Sequence, residues 1–189
     1  GAEVTLVAGP VSLPTPVGRI RRVDVENCME MRDAAVLAFK DADAAILCAA
    51  VADYRPAEVA TRKIKREDER EKGSQPPVFN LQLVPNPDIA ATLGQMKRGG
   101  QVLAGFALET DHEEQNAQKK LERKNLDFIV LNSLRNEGTC FRSDDNQVSI
   151  ISRCGRKDYA KKNKHAVAAD IVDELEQRIW GRAQEKTKP

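Results

Sequence analysis

Residues 44–56, AAILCAAVADYRP, decide the fold. Ala44–Ala50 is an unbroken apolar run of strand length, the pattern of a strand buried on both faces in a parallel sheet. The run empties into a turn at Asp53, Tyr54, Arg55 and Pro56, and then into three cations, Arg62, Lys63 and Lys65. Parallel strands need crossover connections, so helices and further strands are expected on either side.

The flanking segments keep that alternation. Ala2–Ala8 reads as a β-branched strand closed by Gly9-Pro10, and Val11–Arg22, which holds Pro14 and Pro16, as an extended loop. Asn27 is placed to cap a helix through Lys40, with Met29, Ala34, Val36, Leu37 and Phe39 as its apolar face. Lys63–Gln75 is highly charged and expected to be mobile, and Val78–Val84 alternates as a half-buried edge strand. Asn86, as cap, and Pro87, as first helical residue, open a helix over Ile89–Lys97 that Gly99-Gly100 stops.

Then follow a strand (Gln101–Leu108), a charged helix (His112–Lys124) and a strand (Asp127–Leu131). A turn at residues 144–146, a strand (Gln147–Ser152) and an amphipathic helix (His165–Ile179) complete the chain. The expected fold class is α/β, a doubly wound, mostly parallel, Rossmann-like sheet with helices on both faces. One domain is expected over residues 1–180, with a disordered tail at 181–189.

Thirty Lys and Arg against 29 Asp and Glu leave a net charge of +1, which argues against nucleic acid or an anionic membrane as a partner of the whole surface. No apolar run approaches the roughly 20 residues of a membrane helix. Four cysteines without CxxC spacing and two histidines argue against structural zinc and for reduced thiols in the cytoplasm.

In doubly wound sheets ligands settle at the carboxyl ends of strands. That rule selects Gly9-Pro10, Ala50–Arg55, Phe106–Thr110 and the chain from Asn132 onward. Ala49, Ala50 and Ala52 would admit a ligand to the backbone, although a plain strand-to-loop transition has the same composition. The helix start at Asn86–Ile89 favours an anion, while Asp88 slightly opposes a phosphate. Lys120 and Lys124 lie four apart and project from one helix face, joined by Lys119 and Arg123. A polyanion would offset their repulsion; a solvated face balanced by Glu113, Glu114 and Glu122 is the alternative. Lys63 and Lys65 could close onto the same anion. No GxxxxGKS/T or GxGxxG loop is present, and His112 and His165 support no nucleophile–base pair.

Taken in order, GAEVTLVAGPVSLPTP, CAAVADYRP with KIK after it, NPDIA, GFALET, KLERKNLDFIVLN and F-x-x-D-x-N-x-V resemble the phosphopantothenoylcysteine synthetase family, in its bacterial, CTP-using form. The resemblance spans about Gly1 to Ile179. It implies an enzyme of coenzyme A biosynthesis that activates the carboxylate of 4'-phosphopantothenate with CTP. The resulting acyl-cytidylate is then attacked by the amine of cysteine. By motif match the nucleotide site would comprise Leu47, Cys48, Ala49, Asp53, Lys63, Pro87, Asp88, Ile89, Ala90, Phe106, Lys120 and Lys124.

In that scheme Lys63 swings over the phosphates in a catalytic role, and Phe106 packs on the nucleotide unless it is a core aromatic. The resemblance also implies Mg2+ with the triphosphate, protein ligands unspecified, and a homodimer. In many bacteria this region is half of a bifunctional protein, with FMN belonging to an attached decarboxylase domain. Family members begin with a further strand and a glycine-rich segment that supply phosphopantothenate contacts. A chain truncated before Gly1 is expected to bind CTP, with ligation lost or crippled. Two other readings share the pattern: a Rossmann-type dinucleotide oxidoreductase and a non-catalytic CTP-binding fragment.

Overall fold

The computed structural model describes residues 1–64, 79–109, 111–133 and 143–186. In chain order, β1 (Val4–Ala8) and β2 (Ile20–Asp24) lead into α1 (Cys28–Phe39), then β3 (Ala44–Leu47), β4 (Tyr54–Pro56) and β5 (Leu83–Pro85). α2 (Ile89–Met96), β6 (Val102–Glu109), α3 (Glu113–Arg123) and β7 (Phe128–Ser133) follow. Last come β8 (Asp145–Asn146), β9 (Val148–Ser152), β10 (Gly155–Asp158), β11 (Lys162–Asn163) and α4 (Lys164–Lys186).

The central sheet has the order β10-β9-β7-β6-β3. β3, β6 and β7 are parallel, and at one side β9 pairs antiparallel with β7 and β10 antiparallel with β9, so β9 alone runs against the rest. Strand side chains alternate between faces, and the two faces carry separate cores. Leu103, Ala107, Ile129, Leu131 and Ile151 join Phe39, Leu93 and Leu121 under α1, α2 and α3. Val102, Ala104, Phe128, Val130 and Ile150 join Val167 and Ile171 under α4. The expected mostly parallel α/β sheet with helices on both faces is therefore observed.

Several local expectations are corrected. Ile20–Arg22 is not loop: it belongs to β2, which pairs in parallel with β1, Val4 opposite Ile20. This pair stands apart from the central sheet, and α1 packs on β1. β3 is shorter than Ala44–Ala50 and lies at a sheet edge among the described residues, with Ile46 40% exposed, so it is not buried on both faces. The core face of α1 is Cys28, Met31, Ala35, Val36 and Phe39, whereas Leu37 is exposed. Asn27 does cap that helix, accepting from the Met29 and Glu30 amides.

Among the described residues of the expected Val78–Val84 strand, only Leu83 and Val84 are strand, within β5, which pairs with β4 of the same chain. Val78 and Lys65–Gln75 fall outside the described residues, as does most of the chain from Asn132 to the residue 144 turn. α4 continues past Ile179 and through Gly181 to Lys186, where a tail was expected from residue 181; residues 187–189 lie outside the described residues.

Candidate functional site

The loop after β3 and the loop before α2 are stitched together by Asn86. Its amide donates to the Asp53 carbonyl at 2.7 Å, and its side-chain amide donates to the Ala52 carbonyl at 2.8 Å. Arg55 donates in turn to the Pro85 carbonyl at 2.7 Å and to Asn86 Oδ1 at 3.2 Å. Asn86 is thus a connector and not the helix cap the sequence suggested. The cap is Asp88, whose side chain accepts from the Ala91 amide at 3.0 Å. Pro87 precedes the cap, and its carbonyl lies 3.9 Å from Cys28 Sγ.

Asp88 also holds Lys124. The ammonium lies 3.1 Å from Oδ1. Burial pushes the Asp88 carboxyl up, but the Ala91 amide, Lys124 and the charge of Arg123 outweigh it and hold the group below the usual carboxylate range. The expected opposition between Asp88 and an anion is therefore softened by a built-in cation.

Lys124 is placed by the way α3 ends. Asn125 adopts a left-handed φ of 50°. Its amide donates to Glu122 O and the Leu126 amide to Leu121 O, the paired bonds of a Schellman cap. Asn125 Nδ2 reaches Gly94 O on α2 at 2.9 Å. At Gly94 a Cβ would lie 1.9 Å from the Lys124 carbonyl oxygen, so only glycine permits this approach of α2 to α3.

One helical turn earlier, Lys120 Nζ lies 2.6 Å from Glu109 Oε1 at the end of β6. Side chains on a helix lean towards its N-terminus, and α3 starts at the carboxyl end of β6. That direction turns both lysines back towards the strand ends. Their partners are Glu109 and Asp88, not the balancing Glu113, Glu114 and Glu122 on the same helix. Nothing in the local spacing marks Glu109 for this role.

The remaining candidates divide. Leu47 ends β3 opposite Gly105, and Cys48 and Ala49 follow it, both exposed. Ile89 buries its side chain with Phe39 and Leu93, leaving its backbone for any ligand, and Ala90 is partly buried. Phe106 is 40% exposed and sits on the strand face shared by Val102 and Ala104, opposite to the α3 face, so it is not a core aromatic. Lys63 is exposed, and no hydrogen bond or ion pair to it is seen among the described residues. Leu47–Asp53, Pro87–Ala90 and Lys124 are thus linked through Asn86 and Asp88. Lys120 is linked to β6, and Lys63 to none of them.

Residues 1–179 match the family described as the DNA/pantothenate metabolism flavoprotein C-terminal domain. The chain belongs to that family. The crystal structure of the C-terminal domain of Coenzyme A biosynthesis bifunctional protein CoaBC shares 33% identity, with a TM-score of 0.75 over 96% of this chain and 78% of that one. CoaBC of Vibrio vulnificus strain YJ016 is 40% identical over 93% of the chain and 42% of its own length. A protein named cysteine/cysteine sulfinic acid decarboxylase, from an unknown prokaryotic organism, is 49% identical over 93% of the chain and 47% of its own length. The chain spans about half the length of these two family relatives.

Proposed function

We propose that this chain, as one domain over residues 1–180, carries the ligase activity of coenzyme A biosynthesis. It joins 4'-phosphopantothenate to cysteine through an acyl-cytidylate formed with CTP. Two things support the reading: family membership across residues 1–179, and the linkage of the β3 loop to the α2 start beside Lys124. The linkage carries it, because it joins a backbone-accessible strand end, a helix N-terminus and a cation, the parts a nucleotide requires.

In this scheme the 47–53 backbone receives base and ribose, with Asp53 as a polar anchor and Phe106 against the nucleotide. The amides of the 87–90 turn and Lys120 and Lys124 take the phosphates. Lys63 comes over from its exposed segment to stabilise charge growing on the α-phosphate and pyrophosphate. The described residues hold no cluster of three carboxylate, histidine or cysteine side chains suited to a metal. In this reading Mg2+ accompanies the triphosphate, held chiefly by phosphate oxygens and water.

Pyrophosphate release tests the scheme. With CTP, Mg2+ and 4'-phosphopantothenate, this domain, tested together with any segment that precedes it in the natural polypeptide, is expected to release pyrophosphate before cysteine is added and to form the amide once it is. Release that fails with CTP, or thermal stabilisation by NADH in place of MgCTP, overturns it.

A further inference from the structure

Glu109 is nearly withdrawn from water, with its side chain 14% exposed, and both of its oxygens face α3. Oε1 accepts from Lys120 Nζ at 2.6 Å, and Oε2 lies 3.4 Å from Asn116 Nδ2 one turn earlier. Asn116 is itself held by the Asp111 carbonyl at 3.0 Å. Consecutive turns of one helix face thus clamp a single carboxylate. A carboxylate so shielded needs a countercharge, and Lys120 supplies it.

The neighbouring pair has the opposite exposure. Lys124 is 21% exposed against 40% for Asp88, whereas Lys120 is 38% exposed against 14% for Glu109. In the Glu109 pair the anion is shielded and the cation is open. An ammonium has three donors, and the bond to Glu109 uses one, leaving two to turn outward.

We propose that Glu109 is a positioning residue for the nucleotide reaction, anchoring one donor of Lys120 so that the others point at an incoming phosphate. The inference rests on the CTP-ligase reading given above. The carboxylate does not compete Lys120 away from phosphate, because the ammonium bridges both. It removes the rotational freedom of a long side chain, which would otherwise be lost on ordering at the moment of reaction.

The test is a double-mutant cycle of Glu109→Gln and Lys120→Ala in pyrophosphate release, with CTP as varied substrate. Glu109→Gln is expected to lower kcat about tenfold without raising the KM for CTP, since binding loses no positive charge. In the Lys120→Ala background the same change is expected to do nothing further. Asn116→Ala, which loosens the clamp and leaves both charges in place, gives a smaller loss in the same direction and guards against a folding defect in the first variant.

A raised KM with unchanged kcat, or an undiminished Glu109 effect without Lys120, overturns this inference alone. A parent protein that releases no pyrophosphate, or a Lys120→Ala variant that turns over like the parent, overturns the underlying reading and this inference with it.

Discussion

Lys124 Nζ lies 3.1 Å from Asp88 Oδ1, so the end of α3 is tied to the cap of α2. The tie is electrostatic, and its pH dependence has a definite sign. Asp88 titrates below its ordinary value of 3.8 in the folded chain. A lowered folded pKa means the stabilisation is fully present above the unfolded carboxylate value and is lost as pH falls through the folded one. Asn caps a helix as well as Asp does, so Asp88→Asn removes the charge and keeps the cap. Denaturant melts of the two proteins are expected to differ modestly at pH 5–7 and to converge below about pH 3.8. A difference that persists unchanged into acid would show that the pair does not supply it.

The same junction is sensitive to one methyl group. A Cβ at Gly94 meets the Lys124 carbonyl oxygen at 1.9 Å and its carbon at 2.8 Å, both backbone atoms that no rotamer change relieves. Gly94→Ala would normally favour a helix interior. Here it is expected to destabilise by about 1–3 kcal/mol, the usual range for overpacking, and to weaken nucleotide binding by moving Lys124 off Asp88. A melting temperature equal to or above that of the parent would contradict the close approach of the two helices.

Much of this junction was invisible in the sequence, and the reason is physical. The β6 and β7 strands are written in apolar runs, and the helix starts in Asn27 and in Asn86–Asp88, so alternation and fold class could be read. Strand pairing order could not: Ala44–Ala50 has the composition of a central strand, yet among the described residues the sheet leaves β3 at its edge. The lysines of α3 were legible as a cluster, but their partners come from other elements, Glu109 eleven residues earlier and Asp88 in the α2 cap. Local spacing points instead to Glu113, Glu114 and Glu122. Asn86 misled for a related reason, since a capping residue and a loop connector use the same side chain.

Replacing both Lys120 and Lys124 with Ala is expected to weaken MgCTP binding by roughly tenfold or more for each ammonium–phosphate bond removed, and to flatten its dependence on salt. Lys124→Ala also strands Asp88, and Lys120→Ala strands Glu109. The double replacement is therefore made in an Asp88→Asn, Glu109→Gln background, where the helix cap survives and neither carboxylate is left without its countercharge. Titration curves that superimpose on those of the Asp88→Asn, Glu109→Gln protein at all salt concentrations would take both lysines out of the site.

The β4–β5 ribbon exposes Tyr54, Phe79, Leu81 and Leu83, a row of large apolar side chains on and beside a short pair of strands. Apolar surface of this kind is the usual material of a subunit interface. On the homodimer that the family resemblance implies, Phe79→Asp with Leu83→Asp is expected to convert the protein to monomer in sedimentation equilibrium without lowering its helix content. A parent protein that sediments as a monomer at micromolar concentration would remove the dimer.

Lys63 is the most exacting case, because it is exposed and no bond seen among the described residues holds it near the other candidates. On the proposed mechanism this is how a residue acting only in the transition state should stand. It contributes little to ground-state binding and much to charge developing on the α-phosphate. Lys63→Gln keeps a polar, hydrogen-bonding side chain, one atom shorter, but removes the charge. The variant is expected to melt like the parent and to bind MgCTP within a few-fold, while acyl-cytidylate formation, followed by pyrophosphate release in a single turnover, slows on the order of a hundredfold. Release at the parental rate would mean that the positive segment after β4 takes no part in the chemistry, and that phosphate charge is met by the α3 lysines alone.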